Sequence, residues 1–553
     1  MEWRTHDVVN QTPELQDYNI FSQDEALVHA TGHFGADWQL DTLSDAGANL
    51  GRASILQLGE LANKHLPELK THDRIGQRID LVEFHPSWHE LLGLLRQQGL
   101  HAAAWQTPRT GAHVARAAGY FLQSQVESGS LCPTTMTFAS IPLLQNEPKL
   151  FERIKDQLFS REHDPRDLPI AEKKSILIGM GMTEKQGGSD VRTNTTIACP
   201  IDAEGRGEGY LLTGHKWFFS APMCDAHLVL AKTEKGLSCF FVPRWKFDGS
   251  KNTIHIQRLK DKLGNKSNSS SEVELMDAFG ILVGIEGRGI QTIIEMANLT
   301  RLDCVIGSAA LMRQALTQAI HHARHRQAFG KRLIEQPLMR NVLCDLALES
   351  EAATYLTLRL ASALDYPDDP LQRAWKRILT PAAKFWICKR AVTFTGECME
   401  VWGGNGYVET GPMARMYRES PVNSIWEGSG NVMCLDVWRA IERDPEGMQL
   451  LIDGLTSSSS PSVRQMASDL ETELTAPAEQ KEVNARRFTQ KLVLATQSHL
   501  MHELAPPTIA EAFARSRSDM HNGKVYGTLS SAVSSELQEN IIHRAFPTQE
   551  KAN

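Results

Sequence analysis

The chain has 553 residues, of which 41% are hydrophobic and 22% charged, and this length predicts three or four domains. No apolar run approaches the about 18 residues of a transmembrane helix, and the N-terminus lacks a signal-peptide pattern, so we expect neither. The net charge of −8 argues against nucleic-acid binding through overall charge.

The predicted elements form four regions in chain order. Helical spacing of apolar residues predicts a helical domain over 1–180. Short apolar runs between turns predict a β domain over 181–287. Long periodic runs predict a helical bundle over 288–444, and a helical extension over 445–553 follows, with a serine-rich loop at 457–461. The clearest strand candidates are Tyr210–Leu212, His227–Leu230, Ser238–Val242 and Glu272–Leu275.

Nine cysteines are scattered along the chain, an odd number with no C-x-x-C pair. We therefore expect no disulfide framework and no metal site, and a cytoplasmic location fits this usage. Residues 284–289 are rich in glycine, but their spacing and the helical bundle that follows do not fit a Rossmann fingerprint.

Two segments predict a flavin site. Residues 180–190 combine small and hydroxyl-bearing side chains, and 214–220 form an aromatic segment that ends in Ser220. Gly187–Gly188 would let backbone N–H groups approach phosphate oxygens. An aromatic such as Phe218 can pack on the face of a heterocycle while a hydroxyl contacts its edge.

Three further motifs, Arg326–Gly330, Trp402–Tyr407 and Asn423–Asn431, follow in order. Together with the two flavin segments they resemble the acyl-CoA dehydrogenase family over about residues 60–440. The resemblance implies a mainly α protein with a central β domain: a helical N-terminal domain, a β-barrel-like middle domain and a four-helix bundle. It also implies bound FAD and, as a possible small-molecule partner, an acyl-CoA.

Glu427 is the candidate catalytic residue. A carboxylate beside Trp426 is partly desolvated, which raises its pKa and makes it a better base. In the family, the carboxylate at this position removes a Cα proton from an acyl thioester. The second base position of some relatives, before Arg301, is Thr300 here. The alternative is that Glu427 caps the following helix through its free N–H groups.

The resemblance also implies FAD contacts within one subunit. Thr183 would meet the pyrimidine edge and Ser189 the pyrophosphate, Phe218 and Ser220 would lie by the isoalloxazine ring, and Asn431 would lie near the adenosine or diphosphate. The rest of the implied set is Met180, Gly181, Met182, Gly188, Phe219, Ile425, Trp426, Gly428 and Ser429. For the two phenylalanines the alternative is a place in the core of a strand.

Further contacts are implied from a neighbouring subunit, through Arg326, Phe329, Gly403 and Gly404, and these imply an oligomer. For Arg326 the alternative is a solvated helix end in a basic stretch. One departure from the family concerns the pocket, because Trp426 stands where tyrosine is common and could narrow the space for an acyl chain.

Several segments match the alkylation-response branch of the family more closely. This resemblance implies a homotetrameric FAD protein of the adaptive response that associates with double-stranded DNA through its C-terminal extension and limits alkylation damage. Its substrate could then be an alkylating small molecule. The matching segments are Pro67–Asp73, Gly76–Pro86, Ser130–Ala139, Arg258–Asn265 and Pro421–Leu435.

The extension offers little charge for DNA. Residues 446–553 hold ten Lys/Arg and thirteen Asp/Glu, whereas DNA binding needs clustered cations. Two clusters are candidates, and the alternative is solvated helix surface. They consist of Arg486, Arg487 and Lys491, and of Arg515, Arg517 and Lys524.

Three functions remain open at this point. The chain could be an FAD protein of the alkylation response that binds DNA, with weak acyl-CoA dehydrogenase activity. It could be a metabolic acyl-CoA dehydrogenase whose extension serves assembly or membrane contact. It could also keep FAD as a structural group and catalyse nothing.

Overall fold

The computed structural model describes residues 5–518, 524–530 and 532–547. Helices come first, strands follow, and helices return, so the predicted mainly α class with a central β region is confirmed. None of the helices in these ranges is long and apolar enough to cross a membrane.

The first region is helical, with one hairpin that the sequence reading did not anticipate. The hairpin turn is built by Asp73, whose carboxylate accepts the N–H groups of Ile75 and Gln77, while Gly76 supplies a φ of +87°. The elements are α1 (Glu25–Thr31), α2 (Leu40–Leu50), α3 (Ala53–Lys64), β1 (Glu68–His72), β2 (Arg78–Glu83), α4 (Pro86–Gln97), α5 (Ala103–Gln106), α6 (Ala112–Val126), α7 (Leu131–Gln145) and α8 (Pro148–Phe159).

The central region is one sheet of seven strands. They are β3 (Ile178–Gly181), β4 (Ile197–Pro200), β5 (Gly209–Ser220), β6 (Ala226–Thr233), β7 (Gly236–Pro243), β8 (Ile254–Leu259) and β9 (Ser270–Val283). The order is β3-β6-β4-β5-β9-β7, β7 also pairs with β6, and β8 pairs with β9. The pairing of β7 with β6 closes the sheet, which gives the barrel-like form expected.

A helical bundle follows around the long α9. Residues 299–306 and 308–323 of this helix are buried on all sides, because α10 and α12 cover it together with α6 and α7 of the first region. The elements are α9 (Gly289–His325), β10 (Gln327–Ala328), β11 (Lys331–Arg332), α10 (Pro337–Ser362), α11 (Pro370–Ala374), α12 (Thr380–Val401), α13 (Pro412–Glu419) and α14 (Gly430–Arg443).

The extension continues the helical architecture and packs directly on the bundle. Its long helix α17 contacts α10, α12 and α14, and its last helix α19 lies on α10. The serine-rich segment joins two helices, as predicted. The helices are α15 (Pro445–Thr456), α16 (Pro461–Leu474), α17 (Ala478–Leu504), α18 (Pro507–Ser518) and α19 (Ser535–Ala545).

Candidate active site

Glu427 lies on the loop between α13 and α14, and two buried cations hold that loop. Lys384 of α12 donates from Nζ to the carbonyls of Asn423, at 3.0 Å, and Gly428, at 2.8 Å. Arg301 of α9 donates from Nε to the carbonyl of Glu427 at 3.0 Å. The two cations therefore bind backbone oxygens of the base and of residues on either side of it, and none of the salt bridges among the described residues involves its carboxylate.

The Glu427 carboxylate has one neutral donor. The Thr300 hydroxyl donates to Oε2 at 2.7 Å. Burial raises the pKa of Glu427, while the Thr300 hydrogen bond and the charges of Lys384 and Arg301 act in the opposite direction. The predicted direction of the pKa shift is thus present. A raised pKa brings a carboxylate nearer to the range in which it works as a base.

Glu427 does not cap α14, since that helix begins at Gly430 with Ser429 as its N-cap residue. The backbone of Glu427 has a φ of +58°, a left-handed conformation that costs a non-glycine residue about 1–3 kcal/mol. The surrounding hydrogen bonds from Arg301 and Lys384 hold this conformation in place.

The two predicted flavin segments are joined by a buried ion pair. Lys216 of β5 lies 2.7 Å from Glu184, and the N–H of Trp217 donates to the carbonyl of Thr183 at 2.8 Å. Burial lowers the pKa of Lys216 to about 8, and Glu184 opposes that shift. The loop after β3 is therefore fixed against the aromatic strand.

Neighbouring aromatics of β5 point to opposite faces, as strand geometry requires. Phe218 is 51% exposed, whereas Phe219 is 1% exposed and stacks on His227 with ring centroids 3.8 Å apart. A Cβ at Gly181 would lie 2.6 Å from the Phe219 ring. Phe218 is thus available to a ligand, while the side chain of Phe219 belongs to the domain core, so that only the backbone of Phe219 is left for the flavin contact predicted there.

Cys132, which was not among the predicted site residues, lies on α7, one of the helices that cover α9. Burial raises the pKa of this thiol to about 12.

Three models of known domain families match the chain. Residues 10–165 match "Adaptive response protein AidB N-terminal domain", 179–278 match "Acyl-CoA dehydrogenase, middle domain", and 287–442 match "Acyl-CoA dehydrogenase, C-terminal domain". The putative acyl-CoA dehydrogenase AidB of Escherichia coli (strain K12) is 47% identical over 99% of this chain and 99% of its own length. This chain belongs to the acyl-CoA dehydrogenase family. Within the family it falls in the AidB branch.

Other acyl-CoA dehydrogenase relatives agree. Acyl-CoA dehydrogenase family member 11 of Caenorhabditis elegans is 30% identical over 70% of this chain and 64% of that protein. The apo form of Bd2924 has a TM-score of 0.82 at 30% identity, over 90% of this chain and 100% of that one. The structure of C. elegans ACDH-11 in complex with C11-CoA is 24% identical and has a TM-score of 0.82. The match covers 99% of this chain and 94% of that one, and it supports the fold.

Acyl-CoA dehydrogenase family members bind FAD, and the residues of this chain fit that cofactor. A Cβ at Gly188 would lie 2.6 Å from the Thr183 hydroxyl oxygen, so only glycine allows the loop to fold so closely over Thr183. Of the implied one-subunit contacts, Met180 and Gly181 are buried in β3, where they pair with β6. The exposed or half-buried ones are Met182, Thr183, Gly188, Ser189, Phe218, Ser220, Ile425, Trp426, Gly428, Ser429 and Asn431.

The residues implied to reach a second acyl-CoA dehydrogenase subunit lie at one end of the bundle. Phe329, at the tip of the β10–β11 hairpin, is 99% exposed and has a φ of +51°. Arg326 donates to the carbonyl of Asn10 at 2.6 Å. The Gly403–Gly404 turn begins next to Trp402, which donates to the carbonyl of Gln318 on α9 at 3.1 Å.

The candidate DNA-binding cations of the extension are largely occupied within the chain. Arg517 lies 2.8 Å from Asp345 and 2.9 Å from Glu349, and its side chain is 11% exposed. The prediction that it meets DNA phosphates is therefore wrong, since its charge is already neutralised at a buried site. Sequence reasoning missed this because both acids lie on α10, far away along the chain.

The remaining cations are distributed over the surface of the extension. Arg487 and Lys491 of α17 approach Glu473 of α16, so an acid of the neighbouring helix lies beside both. Arg515 lies 3.5 Å from Glu511 on its own helix. Lys524 is exposed. Arg486 contacts Asn431 of the base loop.

Proposed function

We propose that this chain is an FAD-dependent oxidoreductase that removes the α and β hydrogens of an acyl thioester, with Glu427 as the base. The observation that carries the proposal is the half-buried Glu427 carboxylate. Its pKa is raised, its hydrogen-bond donor is the neutral Thr300 hydroxyl, and its loop is clamped by two cations. FAD, when bound, supplies the hydride acceptor.

In this mechanism Glu427 takes the proton from the α carbon. The Thr300 hydroxyl orients Oε2, so that the other carboxylate oxygen is left for the substrate. Lys384 and Arg301 keep the loop in the strained conformation that presents the carboxylate. The partial burial of Glu427 reduces the contact of its carboxylate with water.

Trp426 limits the acyl chain that fits beside the base. Its indole N–H donates to Asn423 at 2.9 Å, and Asn423 donates to Ser308 of α9 at 3.1 Å. The ring is thereby anchored to the bundle. This anchoring supports a narrow pocket and selection against bulky acyl groups.

The visible spectrum of the purified protein, followed by anaerobic addition of a panel of acyl-CoAs, tests the proposal. We expect flavin absorbance at the start and its loss with at least one narrow acyl-CoA. A flavin that no thioester reduces would contradict the dehydrogenase function and leave a structural role for FAD.

We also propose double-stranded DNA as a partner in an alkylation response. Residues 10–165 match the adaptive-response model, which supports this role. The burial of Arg517 on the bundle favours the alternative that the extension serves assembly. A gel shift with duplex DNA across a salt series separates them, because phosphate binding weakens steeply with salt. Absent or salt-insensitive binding of the duplex would contradict the DNA-binding role.

A homotetramer is part of the proposal. The family resemblance assigns Phe329 to the FAD site of a neighbouring subunit, and its 99% exposure at a hairpin tip leaves it accessible to another copy, which supports this assembly. Light scattering of the purified protein gives the mass directly, and a monomeric mass would contradict the shared FAD site.

A further inference from the structure

Arg486, on α17 of the extension, contacts the start of α14, the helix that follows the Glu427 loop. Arg486 of α17 donates from Nη1 to Oδ1 of Asn431 at 3.2 Å. Its guanidinium also lies over the ring of Phe385, 5.3 Å from the centroid. Asn431 follows the base by four positions and is exposed. The contact therefore joins a part of the chain outside the matched domains to the first turn of α14, the helix that follows the Glu427 loop.

The hydrogen-bonding chemistry of the Arg486 guanidinium and the Asn431 carboxamide determines the orientation of that carboxamide. A guanidinium has only donors, whereas a carboxamide has an acceptor oxygen at one end and two N–H donors at the other. Because Arg486 requires the oxygen, the Nδ2 group of Asn431 points away from α17. Arg486 thus leaves the donor end of Asn431 free for an acceptor such as a phosphate or ribose oxygen.

A second cation, Lys389, lies beside the first turn of α14. Lys389 of α12 packs on the backbone of Gly430, where an added Cβ would lie 2.7 Å from its Cε and 3.3 Å from its Nζ. Burial raises the pKa of Cys434, one turn further along α14, and the charges of Arg486 and Lys389 oppose that rise. Both cations therefore add positive charge beside the first turn of α14.

We propose that Arg486 is a positioning residue for the phosphate half of FAD, acting by orienting the Asn431 carboxamide. The inference rests on the proposed function, and it adds that the extension takes part in cofactor retention. It also assigns Arg486 a role other than the DNA contact suggested by its place in a basic cluster.

Arg487 provides a matched control. It is the next residue of the same helix and carries the same charge, but it is 68% exposed and lies 3.8 Å from Glu473. Replacing either arginine by alanine changes the net charge equally. Of these two arginines, only Arg486 contacts Asn431 in the first turn of α14.

The test measures the dissociation constant of FAD from the full-length protein by flavin fluorescence. We expect R486A to weaken FAD binding about tenfold, the value of one hydrogen bond to a charged group. R486K should recover part of that loss because it keeps one donor, and R487A should stay within about twofold of wild type. In an N431A background, R486A should cause no further loss, since its effect passes through Asn431.

Three results would overturn the inference while the proposed function stands: wild-type affinity in R486A, an equal loss in R487A, or a full tenfold loss from R486A in the N431A background. A wild-type protein that binds no FAD would instead overturn the proposed function together with the inference. The two failures are therefore distinguishable before any variant is made.

Discussion

Cations lie against both the base loop and the face between the extension and the bundle, but their charge is used differently. At the base loop, Arg301 and Lys384 donate to backbone carbonyls, Arg301 pairs in addition with Asp436, and the Glu427 carboxylate accepts from the neutral Thr300 hydroxyl. In the extension, Arg517 and Arg544 pair directly with carboxylates of α10. One region leaves an acid ready to accept a proton, and the other neutralises its acids.

This difference separates chemistry from assembly. A direct cation partner lowers the pKa of a carboxylate and makes it a poorer base, as for Glu349, where burial would raise the pKa but Arg390 and Arg517 together hold it below its usual value. Cations at the backbone around Glu427 also lower its pKa, but burial outweighs them and the pKa stays raised. Variants in each region should therefore change different measurements.

The largest effect is expected for E427Q. Loss of a general base lowers the rate by about three orders of magnitude, measured as flavin reduction by the best acyl-CoA of the panel under anaerobic conditions. The matched control is E419Q, because Glu419 is also buried, with a pKa raised to about 7 by burial. We expect E419Q to stay within a few-fold of wild type, and equal losses in both variants would remove Glu427 from the mechanism.

R517A should act on stability instead. It leaves Asp345 and Glu349 buried with one arginine fewer, which costs about 3 kcal/mol in the free energy of unfolding, seen as a lower thermal midpoint. R515A, two residues earlier and 69% exposed, should change stability by less than about 0.5 kcal/mol. If R517A is as stable as R515A, the docking role of the ion pairs is contradicted.

T300V should move a pH profile. The Thr300 hydrogen bond lowers the pKa of Glu427, so its removal raises that pKa further. The base must be ionised, and the acid limb of flavin reduction should therefore shift to higher pH. T357V, which loses only a bond to the carbonyl of Ala353 within α10, should leave the limb in place; an unshifted T300V profile would contradict the assigned partner.

The smallest effects are expected on DNA. R487A and K524A should each weaken duplex binding about twofold to threefold and reduce the salt slope by about one, as for one phosphate contact. K149A, which replaces an exposed lysine on α8, is the control in the same gel-shift experiments. If neither extension variant changes the dependence of DNA affinity on salt, the DNA contacts lie elsewhere.

Much of the fold and part of the site could be predicted from sequence. Helical periodicity, strand runs and the serine-rich loop depend on local pattern, and the structure follows them. The raised pKa of Glu427 was also predicted, because its position beside Trp426 and small residues indicated a desolvated loop. The β1–β2 hairpin was missed, since its turn depends on Asp73 and Gly76 in a segment read as helical.

The partners of each site residue could not be predicted, because they come from distant parts of the chain. Thr300 lies 127 residues from Glu427, and Asp345 lies 172 residues from Arg517. Periodicity shows that one face of a strand is buried, but it did not decide between Phe218 and Phe219. Only the packing of His227 against Phe219 settles that choice.

The exposed hairpin of Phe329 has a consequence for handling the protein. If a second copy completes each FAD site, dilution below the dissociation constant of the subunits should release cofactor and dissociate the assembly in one linked step. Added FAD should then hold the subunits together at concentrations where the apoprotein separates. Cofactor content measured at a single concentration would understate the affinity of the intact assembly.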